Sequence, residues 1–596
     1  MSRVSTVVAC LSVASFAGAG YLACSVEPLR LAARAPAPAV ASAAILSPEA
    51  GPPRVHIQIL AINDFHGHLE PPTGSNGMVL AAPSDPLASL PGARATDAGF
   101  SVVPAGGAAY LAAHIARLRA ENPATIVVSA GDLTGATPLM SNLLDDAPTV
   151  AAMNCVGLDV EAVGNHDFDR GLQGLKQLQK PGCVLGDCDA GTFAGASFEY
   201  LAANVIDDST GRTIFAPYTI RELAGVRVAF IGETLAQTAS VTRAGAVNGL
   251  TFLDEATTAN ALVPELERQG VSAIVLVIHQ GGMQTLGGTY DGCQGFSGDL
   301  LPILDRLSPA IDVVISGHTH QAYDCVVGGR LVTSAASYGR LITKIDLTID
   351  PEARRVVASR ARNVPVTHDV TPDPKVTEVV QACEAKAHTI TGRIVGYVKN
   401  TLTGNARVAR VPSCETPLGD VVADAMRMAT GAEIAFMNPG GMRADLGTVR
   451  PDFAVTYGDA FEVQPFGNAL VTMTLRGAQL AALLAQQFGS RQEPRILQVS
   501  RGFTYRYRYD RATEKGVVSD VRLDGRPIEP ARAYRVTVPA FLASGGDSFT
   551  SLRDGTERTE GPIDVDGLTA YLGKVSSATV PLGPLAGRRI EGDGCR

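Results

Sequence analysis

Seven side chains of the kind that hold metal ions fall directly after apolar runs in this sequence: Asp64 and His66, Asp132, Asn165, His279, and His318 with His320. The densest stretch is Gly164-Asn165-His166-Asp167-Phe168-Asp169. Such a run is poor helix and poor strand, and taken alone it could equally be a solvated turn built on Asx hydrogen bonds. Turn chemistry does not explain why five separate apolar runs end in Asp, Asn or His. Carboxylate, amide and imidazole donors suit Zn, Mn, Fe or Mg-like ions rather than Cu(I). One carboxylate can bridge two ions, and two-metal sites hold them ~3.5–4 Å apart. Ions so placed polarise a phosphoryl oxygen and lower the pKa of a bound water, giving a hydroxide nucleophile near neutral pH.

To act together, these groups must sit on strands whose ends converge. Val55 to Ile62, Thr125 to Ala130, Val160 to Val163, Val271 to Ile278 and Ile311 to Ile315 have the length and apolar content of buried strands. Gly164 permits a sharp turn at the end of the third. Val226 to Ile231 reads as a further strand, and Gly107 to Glu121 and about Met140 to Cys155 read as helices. Strands alternating with helices predict an α/β fold, α+β in places, with a mostly parallel or mixed sheet covered on both faces. In such sheets ligands bind outside the carboxyl ends of the strands. Leu341 to Ile349 and Arg355 to Val364 continue as strands, and a helix at about Asp373 to Thr391 leads into the second half.

At 596 residues the chain exceeds a single core. A formal charge of −9 with no long basic run argues against a nucleic-acid polymer as partner. Arg3 followed by the apolar Val4 to Ala23 reads as a secretory signal, the alternative being a membrane span. Leu22-Ala23-Cys24 resembles a bacterial lipoprotein cleavage site, with Tyr21 where Leu is usual, so membrane contact is expected only through a lipid on Cys24. Residues 33 to 53 are an Ala/Pro-rich tether. Of ten Cys, eight remain after Cys10 and Cys24, and an even number in an exported chain suggests disulfides. Cys183 and Cys188 are the easiest pair to close, and the other pairings are open.

The second half has its own pattern. Glu415 and Leu418-Gly419-Asp420 open an apolar helix to about Thr430, and Ile434 to Met437 is a strand ending at Asn438-Pro439-Gly440-Gly441-Met442-Arg443. Gln464-Pro465-Phe466-Gly467-Asn468 and Phe541-Leu542-Ala543-Ser544-Gly545-Gly546-Asp547 follow. Gly pairs beside Asn, Arg and Asp make turns where backbone can approach a ligand. The plainer alternative is turn chemistry with Phe466 and Phe541 in the core.

The segments NDFHGH, SAGDLTG, GNHDFD, VIHQGG and SGHTH, in this order, resemble the calcineurin-like metallophosphoesterases. The surrounding sequence is similar to their secreted 5′-nucleotidase/UDP-sugar hydrolase branch, over about residues 54 to 575. With the signal set at 1–24 and the tether at 25–53 by their own composition, the resemblance implies a four-layer-type α/β sandwich at 54–370, a linker helix at 371–392 and a smaller mixed α/β nucleotide-binding domain at 393–585. It implies two divalent ions, Zn, Mn or similar. Asp64, His66, Asp132 and His320 would hold one, and Asp132 as the bridge, Asn165, His279 and His318 the other. His166 would stabilise the transferring phosphoryl group and Asp169 would orient it. His320 stands where some relatives have Gln or Asn. Phe466 and Phe541 would sandwich a base, Asn438 and Arg443 would contact phosphate and ribose, Asn468 would face the base or its ribose, and Asp547 would bind the ribose hydroxyls. Relatives often carry an Arg where this chain has Pro412, with Arg410 or Arg407 as the candidate substitute. The activity implied is hydrolysis of nucleoside 5′-monophosphates in the periplasm, cell envelope or medium. Its enzymatic alternatives are 2′,3′-cyclic-nucleotide phosphodiesterase with 3′-nucleotidase activity, and UDP-sugar pyrophosphatase. A non-catalytic binding protein on the same fold is set aside, because no donor and no catalytic His is missing.

Overall fold

The computed structural model describes residues 54–595 except 97–98, 185–186, 243–244, 285–288, 405–410, 448–449, 451, 489–493, 511 and 514. The signal, the tether, Cys24, Arg407 and Arg410 lie outside the described residues, as do the side chains of Cys183 and Cys188.

The apolar runs are strands, but they build two sheets. The first has the order Arg355–Pro365, Leu341–Asp350, Val55–Ile62, Thr125–Ser129, Val160–Ala162, Glu199–Leu201. The second has the order Tyr218–Leu223, Val226–Thr234, Ala273–His279, Val313–Ser316, Arg330–Ala335, Ala322–Val327. They stack face to face. Ile57, Ile59 and Val128 of the first meet Phe230, Val275 and Val277 of the second in one core. The outer faces are covered by helices. Ala108–Glu121, Ala147–Val156 and Pro374–Thr391 bury Leu111, Val150 and Val376 on the first sheet. Glu255–Arg268 buries Val263 and Leu266 on the second. Four layers result. Strands buried on both faces need apolar residues at every position, which is why these runs do not alternate.

Parallel pairing brings the informative strand ends to one edge. Ile62 pairs with Ser129 and Ser129 with Glu161 in the first sheet. Thr234 pairs with His279 and Ile278 with Ser316 in the second.

The helix expected from Met140 to Cys155 is instead two, Leu139–Asn142 and Ala147–Val156. Asp145 and Asp146 between them hold left-handed φ values of 51° and 63°. Pro148, in the first turn of the second helix, has no N–H to carry the first one onward. Asp146 is buried and accepts from Thr137 Oγ1 (2.6 Å) and Ser141 Oγ (3.1 Å).

Pro374–Thr391 is capped by Asp373, whose side chain accepts from Lys375 N and Val376 N. Its Val376, Val379 and Cys383 belong to the N-terminal core, so the helix rides on that half. The second half folds around a five-stranded sheet in the order Gln498–Val499, Ile434–Met437, Ala533–Pro539, Ala469–Arg476, Thr556–Ile563. Helices Pro417–Thr430 and Asp564–Val575 pack together through Val421, Val422 and Leu568. Disulfides join Cys293 to Cys325 and Cys414 to Cys595, while Cys383 is free and buried.

Candidate active site

Past each converging strand the chain turns at once, and the turns are stitched to one another. The Asp64 N–H donates to Gly131 O (2.9 Å) and the His66 N–H to Asp132 O (3.0 Å). Asp167 ties in the loop after Val160–Ala162. Its carboxylate accepts from the N–H groups of Asp132 (3.1 Å), Gly164 (2.8 Å) and Thr134 (3.0 Å), and from Thr134 Oγ1 (2.8 Å). Burial pushes this carboxyl up to about 6. Sequence reading gave Asp167 no role, and its place inside the Asn-His-Asp-Phe-Asp run was the only signal. Gly164 was expected to serve a sharp turn, yet its backbone is not left-handed. A Cβ there would stand 2.2 Å from Asp132 Oδ1, so close approach is what demands glycine. Five donors do sit on left-handed backbone: Asp64 (φ 50°), His66 (47°), Asp132 (52°), His318 (69°) and His320 (55°). Such conformations cost energy and cluster at functional sites.

All seven donors meet in one place. Asp64, His66 and His320 form one group and Asp132, His279 and His318 another, the donor atoms within each lying no more than 4.8 Å apart. Asp132 stands between them, its Oδ2 3.6 Å from His66 Nε2 and 3.0 Å from His279 Nε2. Asn165 joins the second group, its Oδ1 2.9 Å from His318 Nδ1. His320 Nε2 lies 3.2 Å from both Asp64 Oδ1 and His66 Nε2.

The tautomers test whether a cation fits. His66 Nδ1 donates to Gly135 O (2.8 Å) and His279 Nδ1 to Ala130 O (2.7 Å). In neutral rings this turns each Nε2 lone pair toward the Asp132 carboxylate. Lone pair against carboxylate repels unless positive charge stands among them. His279 Nε2 is buried and has no hydrogen-bond partner among the described residues. The donor set therefore fits divalent cations, and these residues could hold them.

His166 lies beside both groups. Its N–H donates to Asp132 Oδ1 (2.7 Å), and its Nδ1 is 3.0 Å from Asp169 Oδ2. Burial disfavours the imidazolium, but Asp169 and then Asp132 more than offset this and raise its pKa. Asp169 is itself held by the Ala136 N–H (3.0 Å).

The opposite wall comes from the second half. Arg443 reaches across to His66 Nε2 (3.2 Å) and His320 Nε2 (3.4 Å). Phe466 stacks on His166, with centroids 5.7 Å apart and planes at 25°. A cavity of about 410 Å³ opens between the walls, lined by His166, Asn165 and His318 on one side and Asn438, Arg443, Phe466, Asn468, Phe541 and Asp547 on the other. Phe466 and Phe541 are each half-buried, and Phe541 packs against the core of the second half as well as lining the cavity. Asn438 Nδ2 donates to Asp547 Oδ2 (2.8 Å), and Asn468 Nδ2 to Asp564 Oδ2 (3.3 Å). Arg495 also lines the cavity and donates to Asp547 Oδ1. No sequence feature marked it.

Comparison with known proteins finds a family match for each half of the chain. The family described as calcineurin-like phosphoesterase matches residues 57–322, and that described as 5′-nucleotidase, C-terminal domain, matches residues 394–554. The endonuclease YhcR of Bacillus subtilis is 30% identical over 524 residues, which is 87% of this chain and 40% of that protein. The cell wall protein Lmo0130 of Listeria monocytogenes is 31% identical over 533 residues, 84% of this chain and 64% of that protein. This chain thus spans less than two thirds of either relative. Among solved structures, a 5′-nucleotidase precursor from Thermus thermophilus superposes with a TM-score of 0.72 at 27% identity, covering 90% of this chain and 99% of that one.

Proposed function

Because this chain belongs to the calcineurin-like phosphoesterases that carry a 5′-nucleotidase C-terminal domain, we propose that it hydrolyses nucleoside 5′-monophosphates to nucleoside and phosphate. Support comes above all from the cavity of about 410 Å³, which joins the donor cluster and His166 to an aromatic and polar wall from the other half. Asp64, His66, Asp132 and His320 would hold one divalent ion, and Asp132, Asn165, His279 and His318 a second. Bound there, such ions acidify a water and set positive charge against the phosphoryl oxygens. His166, with Nδ1 engaged by Asp169, would turn its other ring nitrogen to the phosphoryl group and stabilise the charge that develops on it. Arg443 would meet the same group from the far side. Phe466 and Phe541 would hold the base, Asn468 the base or its ribose, and Asn438 and Asp547 the ribose. The unit from 393 to 585 would carry the substrate to the donors at 54–370 by moving as a body. With the 374–391 helix fixed to the first half, the hinge would fall just after it.

Phosphate release from a panel of 5′-, 3′- and 2′,3′-cyclic nucleotides, UDP-glucose and ATP, with Mn or Zn supplied, tests the assignment. The 5′-monophosphates should give the highest kcat/KM. A higher value for a cyclic nucleotide or for UDP-glucose would replace the proposed ester. The chain is also proposed to act outside the cytoplasm, on the Arg3 and Val4–Ala23 pattern and on a relative named as a cell wall protein. Among the described residues no helix is long and apolar enough to cross a membrane. Mass analysis of the mature N-terminus should find residue 24 first, with or without lipid on Cys24, and an intact Met1 would refute export.

A further inference from the structure

We propose that Arg495 is a positioning residue for ribose recognition, acting through the carboxylate of Asp547. The inference rests on the reading above that Asp547 receives the ribose hydroxyls. Asp547 sits on left-handed backbone (φ 54°, ψ 22°) directly after the Gly545-Gly546 pair, so the chain itself sets the direction in which its side chain leaves. Two donors then fix the carboxylate, one on each oxygen. Asn438 Nδ2 donates to Oδ2 at 2.8 Å, and Arg495 Nη1 donates to Oδ1. A carboxylate has about four acceptor positions. Two are thus taken by protein, and the carboxylate lines the cavity with two left, the number that vicinal ribose hydroxyls require.

Both fixing bonds go to a charged acceptor, and the one from Arg495 has a charged donor as well, which makes it the stronger. Arg495 is anchored at its own end. Its N–H donates to Gln487 O (2.9 Å), and two residues on, the Leu497 N–H donates to Gln487 Oε1 (2.6 Å). Gln487 is buried, so the guanidinium is presented from a fixed base rather than from a free surface loop. Without Arg495 the carboxylate keeps only the Asn438 bond and can rotate about its Cβ–Cγ axis, which misaligns the acceptors facing the cavity. On the reading above, the base and the phosphate would be held by other residues. The effect should therefore fall on discrimination between sugars.

The test compares wild type with Arg495→Ala, Arg495→Lys and Asp547→Ala on the best ribonucleoside 5′-monophosphate and on its 2′,3′-dideoxy counterpart. Thermal melts run alongside to establish that each variant is folded. Wild type should bind the ribonucleotide better. Asp547→Ala should bring the two KM values together. Arg495→Ala should shrink their ratio on the order of tenfold, as expected for loss of a hydrogen bond to a charged group. Arg495→Lys, which keeps a donor and the charge, should recover part of it. If Asp547→Ala removes discrimination and Arg495→Ala does not, Arg495 plays no positioning part while the ribose reading stands. An Arg495→Ala variant that raises both KM values by the same factor overturns the inference too, because the guanidinium then serves the phosphate or the fold. If Asp547→Ala leaves the ratio untouched, the ribose reading itself fails and the inference falls with it.

Discussion

Replacing Gly164 with alanine should disable the donor cluster without removing a donor. The added Cβ would stand 2.2 Å from Asp132 Oδ1, 2.4 Å from Asp132 N and 2.8 Å from its carboxyl carbon. Cβ atoms in proteins do not approach heavy atoms within 3.0 Å, so the Asp132 loop must retreat by about 0.8 Å (3.0 − 2.2). Neither escape is free. Rotating the carboxylate breaks the 2.7 Å bond from the His166 N–H and draws Oδ2 away from His279. Shifting the backbone pulls against Asp167, which holds the N–H groups of both Asp132 and Gly164. A hydrogen bond to a charged group is worth ~1.5–3 kcal/mol, a loss visible in a melt. A misplacement of about 1 Å at reacting groups costs on the order of 10²-fold in rate. Initial rates and metal content by plasma mass spectrometry should both fall in the purified variant. Wild-type kcat with full metal content would show that the loops yield, and that close packing is not why glycine stands there.

Chelator-treated protein should lose activity and regain it with Mn or Zn, and Asp132→Ala should be the worst single change at the cluster; full activity in metal-free protein would sink the metal reading. His166→Ala should keep its metal while the rate drops on the order of 10²-fold or more, and a variant that instead loses metal would make His166 a ligand. Replacing both Phe466 and Phe541 with Ala should weaken nucleotide use by ~1–3 kcal/mol per stacked ring and change p-nitrophenyl phosphate hydrolysis far less; equal losses on both substrates would return the two rings to a packing role. Asp420 is buried near Arg589, and burial pushes its carboxyl from 3.8 up to about 8. A pKa raised on folding gives stability that is complete below the unfolded value and lost as pH rises through the folded one. Asp420→Asn should therefore gain on wild type in melting temperature as pH climbs from about 5 to about 9, and a difference constant with pH would refute the shift.

How much could be read in advance differs from element to element. Val55–Ile62 was legible because both its faces are buried: Ile57 and Ile59 between the sheets, Leu60 and Ile62 under helices. That burial leaves a continuous apolar run with clear ends. The same continuity hides which sheet a strand joins, so the apolar pattern alone suggested one sheet, whereas the resemblance implied the four-layer sandwich that the two stacked sheets form. The break at Asp145–Asp146 was missed because the apolar pattern runs on through it, and only Pro148 hinted at a new start. The donors stood out because seven residues of one chemical kind recur at strand ends. Asp167 and Arg495 did not, since each acts on another side chain or main chain through contacts made only in three dimensions. Arg407 and Arg410, weighed against Pro412, fall outside the described residues, whereas Arg495 reaches the cavity from a distant segment.

The left-handed backbone under Asp64, His66, Asp132, His318 and His320 carries a consequence for inheritance. Outside glycine, Asp, Asn and His are the residues that enter this conformation most readily. They are also oxygen and imidazole donors. Two filters with no common cause, one steric and one chemical, thus admit nearly the same short alphabet at these positions. A lineage drifting at position 320 would find Asn an easy exchange for His on both counts. Glutamate, a good donor in isolation, would be penalised by the chain before any ion had been offered to it.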